Sequence, residues 1–210
     1  MSGTSGKMSG VSGKLTLAGI AVATSTVLAA CSMGGGQEPE AAAPADLFEA
    51  LTAYCGQAFA GRVDSEDPRD ADWVGQTLVM HVRECSDDEI RIPLHVGEDR
   101  SRTWVVTRTE DGYRLKHDHR HEDGSEDVLT QYGGDSSVVT ASRIEFPADE
   151  FSRDLFVREG IPDSAQNTWM MEIEGGSFTY GLDRPGRTFR AVFDLSTPVE
   201  APPAPWGFED

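Results

Sequence analysis

The sequence predicts a mainly β fold, an antiparallel meander closing into a small barrel or curled sandwich. Three observations carry that prediction. From Gly75 onward apolar and polar residues alternate with a period of two over short stretches, glycine- and proline-bearing turns separate those stretches, and helical spacing occurs in only two places.

The first helical stretch opens the domain. Asp46 stands as an N-cap, and Leu47, Phe48, Leu51, Tyr54, Cys55 and Ala58 follow at helical spacing, so an amphipathic helix should end between Gly56 and Gly61. Asp64 to Asp72 (DSEDPRDAD) reads as a solvated acidic loop, because it lacks the Asp-x-Asp-x-Asp-Gly spacing of a calcium loop. Thr77 to Glu84 and Glu89 to Val96 then alternate as half-buried strands. Pro93 has no N–H for a ladder, which predicts an edge or a bulge in the second.

Ser101 to Thr109 and Gly112 to Glu122 form a hairpin about Glu110-Asp111-Gly112. Glu126 to Tyr132 and Val138 to Phe146 extend the meander, with Gly133-Gly134-Asp135 as the turn between them. A second short helix is expected within 148–159, with Phe151, Leu155 and Phe156 along one side. Thr168 to Glu174, Ser177 to Asp183 and Thr188 to Leu195 are three strands joined by Gly175-Gly176 and Arg184-Pro185-Gly186. Pro198 to Trp206 (PVEAPPAPW) reads as an extended tail whose tryptophan docks on the body.

Ahead of this domain, Lys7 and Lys14 precede an apolar run, Leu15 to Ala30, that stops at Cys31. Its 16 residues would make a helix too short for a roughly 30 Å hydrocarbon core. Leu28-Ala29-Ala30-Cys31 resembles a bacterial lipobox, which implies lipid attachment at Cys31 and cleavage before it. Ser32, not aspartate, follows the cysteine, which in a Gram-negative cell implies the outer membrane; in a Gram-positive cell the anchor would be the cytoplasmic membrane. Met8 is an alternative start. Ser32 to Pro44 is a glycine- and proline-bearing tether. The expected organisation is thus a signal peptide over 1–30, the lipidated cysteine and tether over 31–45, one β-rich domain over 46–197, and a Pro-rich tail over 198–210.

A formal net charge of −18 excludes nucleic acid as a partner and leaves membrane attachment to the lipid. With Cys31 lipidated, Cys55 and Cys85 remain as an even pair in an oxidising compartment and are expected to form a disulfide.

The candidate site lies on the second arm of the hairpin. There Tyr113, Leu115, His117, His119 and His121 share one face, and Arg114, Lys116, Asp118, Arg120 and Glu122 the other. The charged face is expected to look at water and the imidazoles inward or into a cleft. Two histidines at i and i+2 stand about 6.6 to 6.8 Å apart and can converge on one divalent metal. His117 and His119 are the natural pair, completed by His81, His95 or a carboxylate. Alternatively the imidazoles hydrogen-bond a polar end of the barrel, or orient an organic ligand beside Tyr113. No complete catalytic motif is present: there is no Gly-x-Ser-x-Gly, phosphate loop or His-Glu-x-x-His, and Gly134-Asp135-Ser136 has no histidine downstream.

In the order of its elements the chain resembles the calycin group, whose members hold apolar ligands inside a barrel. Through TWVVTRTEDG, LKHDHRHEDGSED and APPAPWG it is also similar to a family of secreted bacterial proteins, a resemblance that implies no activity. The function expected is therefore a lipid-anchored, non-enzymatic envelope protein that needs no cofactor. It would bind a small apolar ligand or an envelope partner. The alternative is a metal-binding protein or metal-dependent hydrolase using His117, His119 and His121.

Overall fold

A computed structural model describes residues 45–209; the expected signal peptide, the lipobox-like stretch with Cys31 and most of the expected tether lie outside the described residues. Helix α1 (Leu47–Thr52) leads into β1 (Ala58–Val63), β2 (Leu78–His81), β3 (Glu84–Cys85), β4 (Glu89–Val96), β5 (Asp99–Thr109) and β6 (Gly112–His119). The chain continues through β7 (Tyr132–Asp135), β8 (Val138–Val139), β9 (Arg143–Pro147), helix α2 (Glu150–Arg158), β10 (Thr168–Glu174), β11 (Ser177–Arg184) and β12 (Arg187–Val199). All strands belong to one curled antiparallel sheet in the order β7-β6-β5-β4-β2-β1-β12-β11-β10-β9-β8, with β3 paired to β4 beside that path. The fold class read from the sequence, mainly β and curled on itself with two short helices, is the one observed.

The path differs from a simple meander at one strand. Ala58 to Val63 does not continue the first helix; it forms β1, wedged between β2 and the last strand β12, so it joins the early half of the sheet to the late half. Helix α1 stops at Thr52, and Gly56 then takes a left-handed φ of 80° that turns the chain toward β1. Asp46 caps the helix as expected, accepting from the Glu49 N–H at 3.0 Å. The Cys55–Cys85 disulfide forms, with the two Cα atoms 6.2 Å apart, and ties this turn to β3. Closing a separation of 30 residues stabilises the fold by about 3 to 4 kcal/mol on the chain-entropy model.

Pro93 lies in an interior strand rather than on an edge, and the expected irregularity of that strand follows it, as a register shift between Leu94 and Val96. Arg91, on the same side of β4, accepts through its carbonyl from the Arg83 N–H. The donorless nitrogen of Pro93 therefore points at the break between β2 and β3, where no ladder bond is lost.

The segment Gly133-Gly134 is not a turn but the middle of β7, while most of Glu126 to Tyr132 runs as irregular chain. The reason is space. A Cβ on Gly133 would stand 1.8 Å from the Leu115 carbonyl oxygen, and one on Gly134 1.8 Å from that of Pro147. Two glycines thus let β7 press between β6 and the end of β9, where the two ends of the sheet meet. The Ser152 hydroxyl, at the start of α2, accepts from the Gly133 N–H at 2.7 Å and donates to its carbonyl at 2.9 Å, and the Asp149 N–H donates to that carbonyl too, so the sheet edge is satisfied there. In α2 Leu155 and Phe156 are buried, but Phe151 faces outward and lies under the Lys116 ammonium.

The charged face of β6 is solvated at Arg114 but covered farther along the strand. Asp118 is only 3% exposed and pairs with Arg91 at 3.2 Å and Arg120 at 3.0 Å. Phe208, from the tail, sits against both guanidinium groups at 5.4 and 5.3 Å. The tail is held further by the Trp206 N–H, which donates to the Arg100 carbonyl, and by Arg100 itself, which donates to that of Ala204. Polar side chains on this face thus serve as a docking surface for the chain's own end.

Candidate functional site

Alternation along β5 and β6 aims Arg102, Trp104 and Val106 inward, together with Tyr113, Leu115, His117 and His119. In the ladder Arg102 stands opposite His119 and Trp104 opposite His117, whereas Arg108 stands opposite Tyr113 at the far end. Around the Arg102–His119 end the curled sheet leaves a cavity of about 370 Å³. Its walls carry seven aromatic rings, Trp73, Trp104, Tyr132, Trp169, Tyr180, Phe189 and, from α2, Phe156. Trp104 and Tyr180 stack at 4.3 Å between ring centroids, and His117 stacks on Tyr132 at 4.4 Å. Tyr132 follows Gln131, whose left-handed φ of 55° costs roughly 1 kcal/mol and is of the kind that collects at functional sites.

His117 has both ring nitrogens occupied. The Tyr132 carbonyl 3.0 Å from Nδ1 can only accept, so Nδ1 carries the proton; Nε2 accepts from the Tyr180 hydroxyl at 2.7 Å. Burial, reinforced by neighbouring His119, lowers the pKa of this imidazole to about 3, so it is neutral. Burial also holds the Tyr180 phenol well above its ordinary pKa. His119 lies beside it, its Nε2 3.2 Å from the Tyr132 hydroxyl, and burial together with Arg102 lowers its pKa to about 4. The pair therefore forms a neutral hydrogen-bonding wall in which His117 has no lone pair left for a metal.

The other sequence candidates lie elsewhere. His121 has left the strand and is exposed, its Nε2 3.9 Å from Asp127. His81 and His95 alternate onto the outer face of β2 and β4, opposite in direction to the cavity, so they cannot complete a site with His117 and His119. His95 is 4% exposed, its Nε2 lacks a partner among the described residues, and burial lowers its pKa to about 4. Tyr113 belongs to the far end, stacked on Phe48 and donating to Asp46. Among the described residues no three His, Cys, Asp or Glu side chains group as a metal site. A hollow of about 700 Å³ lies between His81, Arg83 and tail residues 200–204, but it is shallow and walled largely by alanine and proline, with little to orient a ligand.

Sequence reasoning passed over the cavity's cations. Arg69, Arg102, Arg184 and Arg187 all line it, in a chain of net charge −18. Asp70, read as part of a solvated loop, is 2% exposed because Arg187 reaches it, with Nη1 2.9 Å from Oδ2. Arg187 also pairs with Asp67, Arg69 with Asp67, and Arg102 with Asp99. The guanidinium of Arg69, at the same spot, holds the Asp67 carboxyl far below the usual carboxylate range. Arg184 differs: its Nη1 donates to Ser164 Oγ at 2.8 Å and Asn167 Oδ1 at 3.1 Å, and no carboxylate pairs with it among the described residues. A signal for these residues was present. Arg102 shares the parity of Trp104, Arg184 that of Tyr180, and Arg187 that of Phe189, so period two alone puts each on the inward face.

The cavity thus combines flat apolar walls, neutral donors and acceptors, and a cationic rim, the composition of a site for a small organic molecule. Comparison with protein-family models, with curated proteins and with solved structures returned no match for this chain.

Proposed function

We propose that this chain is an exported, lipid-anchored binding protein that holds a small organic ligand in the mouth of its curled sheet. The aromatic cavity of about 370 Å³ carries the reading. Its size falls in the range of small-molecule pockets, and its walls bring apolar area together with a few fixed polar groups. The sequence Leu28-Ala29-Ala30-Cys31 supports attachment through lipid at Cys31, and the Cys55–Cys85 disulfide fits an oxidising compartment such as the periplasm. On this reading the protein faces the periplasm from the outer membrane of a Gram-negative cell, and it binds rather than catalyses.

Titration with N-phenylnaphthylamine, a neutral apolar dye that brightens when it leaves water, tests the proposal. Full-length chain is expected to show a saturable site that Leu182→Trp, which places bulk in the cavity wall, abolishes. No saturable binding, or binding that Leu182→Trp leaves intact while the fold is retained, overturns it.

A further inference from the structure

Resting on the reading of the cavity as a ligand site, we infer that its ligand is a flat apolar molecule bearing one anionic group, gripped by Arg184 at the rim. Two independent observations point there. The first is the state of the guanidinium. Both hydrogen bonds of Arg184 use Nη1. Nε and Nη2 have no partner among the described residues, and neither is sealed from solvent. That free edge is the one that receives a carboxylate, sulfonate or phosphate through two parallel N–H···O bonds.

The second observation is a local conflict. Arg184 and Arg187 stand directly opposite each other at the tip of the β11–β12 hairpin, and Arg69 donates to the carbonyl of Gly186 in the same turn at 2.8 Å. Like charges facing across a ladder destabilise it. Carboxylates answer two of these three arginines, and the third is left with neutral Ser164 and Asn167. Such a conflict, retained in a strongly acidic chain, is expected where function requires it. Burial, then Arg187 and more weakly Arg69, lower the pKa of Arg184, while Asp163 acts in the opposite sense. An anion at the rim would relieve that repulsion, and the rings of Trp104 and Tyr180 inside the same cavity offer a stacked face to the rest of the molecule.

Two dyes with one skeleton test the inference: anilinonaphthalene sulfonate and the neutral N-phenylnaphthylamine. The readout is the difference between wild type and Arg184→Gln in the full-length chain, so dye held elsewhere on the chain cancels. Wild type is expected to bind the sulfonate at least about 10-fold tighter than the neutral dye, the weight of a charge-assisted hydrogen bond. Arg184→Gln is expected to remove that advantage, read as the ratio of the two affinities in one protein. Arg184→Lys, which keeps the charge and loses the fork, serves if the glutamine variant does not fold; it is expected to lower that ratio severalfold. Equal binding of the two dyes, or a sulfonate preference indifferent to Arg184, overturns the anion and leaves the cavity reading standing. Binding of neither dye overturns both.

Discussion

The two ends of the β5–β6 pair are built from the same parts and differ in how many are satisfied internally. At the far end Arg108 lies over the rings of Phe48 and Tyr113, at 4.6 and 5.3 Å, and donates to the Tyr113 hydroxyl at 3.0 Å. That hydroxyl donates in turn to Asp46, and burial with this acceptor raises the pKa of the phenol to about 12. Helix α1 closes the arrangement, with Leu47, Phe48 and Leu51 buried beneath it. At the mouth Arg102 likewise lies over an aromatic ring, Trp73 at 4.9 Å, and is paired with Asp99, but α2 reaches the cavity through Phe156 without filling it, and among the described residues Arg184 keeps a free edge. The difference teaches that an arginine on an aromatic ring is not itself a binding feature. What distinguishes a mouth from a seal is a donor left over after the chain has satisfied its own groups.

That contrast can be broken by experiment. The largest effect is expected from Tyr113→Ala, which removes a buried ring from the sealed end and should cost about 4 kcal/mol in urea denaturation. Binding of N-phenylnaphthylamine should change less than about 2-fold; a parallel loss of binding would mean that the two ends are not independent.

A smaller effect is expected from pH. Burial lowers the pKa of His117 from an ordinary 6.5 to about 3, so as the medium is acidified the unfolded chain takes up the proton first. Its contribution is fully present above the unfolded pKa and is lost as pH falls below it, the loss amounting to about 2 kcal/mol at about pH 5. The difference in urea stability between pH 7 and 5 should shrink by that amount in His117→Gln. An unchanged difference would show that this imidazole is free to protonate at the mouth. Smallest is Phe208→Ala, which removes two guanidinium–ring contacts from the outer face and should cost about 1 kcal/mol without altering dye binding at all. Weakened binding there would tie the tail to the mouth.

The parts of the fold legible in the sequence are those whose cause is local. The strands from Thr168 to Leu195, the cap at Asp46 and the hairpin about Asp111 all follow from periodicity, capping or turn chemistry. Ala58 to Val63 escaped because its burial alternates only after Phe59, and its apolar start continues the helical spacing of α1. Gly133-Gly134 escaped for the opposite reason. Paired glycines signal a turn locally, and only the carbonyls of Leu115 and Pro147, remote in sequence, make them necessary in a strand.

The site was legible by half. Alternation places His117 and His119 inward, as found, whereas the arginines that end the same runs carry a charge that masks their inward parity. His121 fell outside the pattern because the strand stops at His119, and Tyr113 is inward yet at the sealed end. His81 and His95 have the parity of the outer face, so distance was never what separated them from the pair.

Pattern along the chain therefore determined which face most strand side chains take and where the first helix begins, because these depend on neighbours a few residues away. The tertiary structure decided which inward residues meet. Arg69, Arg102, Arg184 and Arg187 share one rim only because β1 joins the two halves of the sheet and the sheet curls. Whether each finds a carboxylate depends on loops distant in sequence, such as the one that brings Asp67 and Asp70 to Arg187.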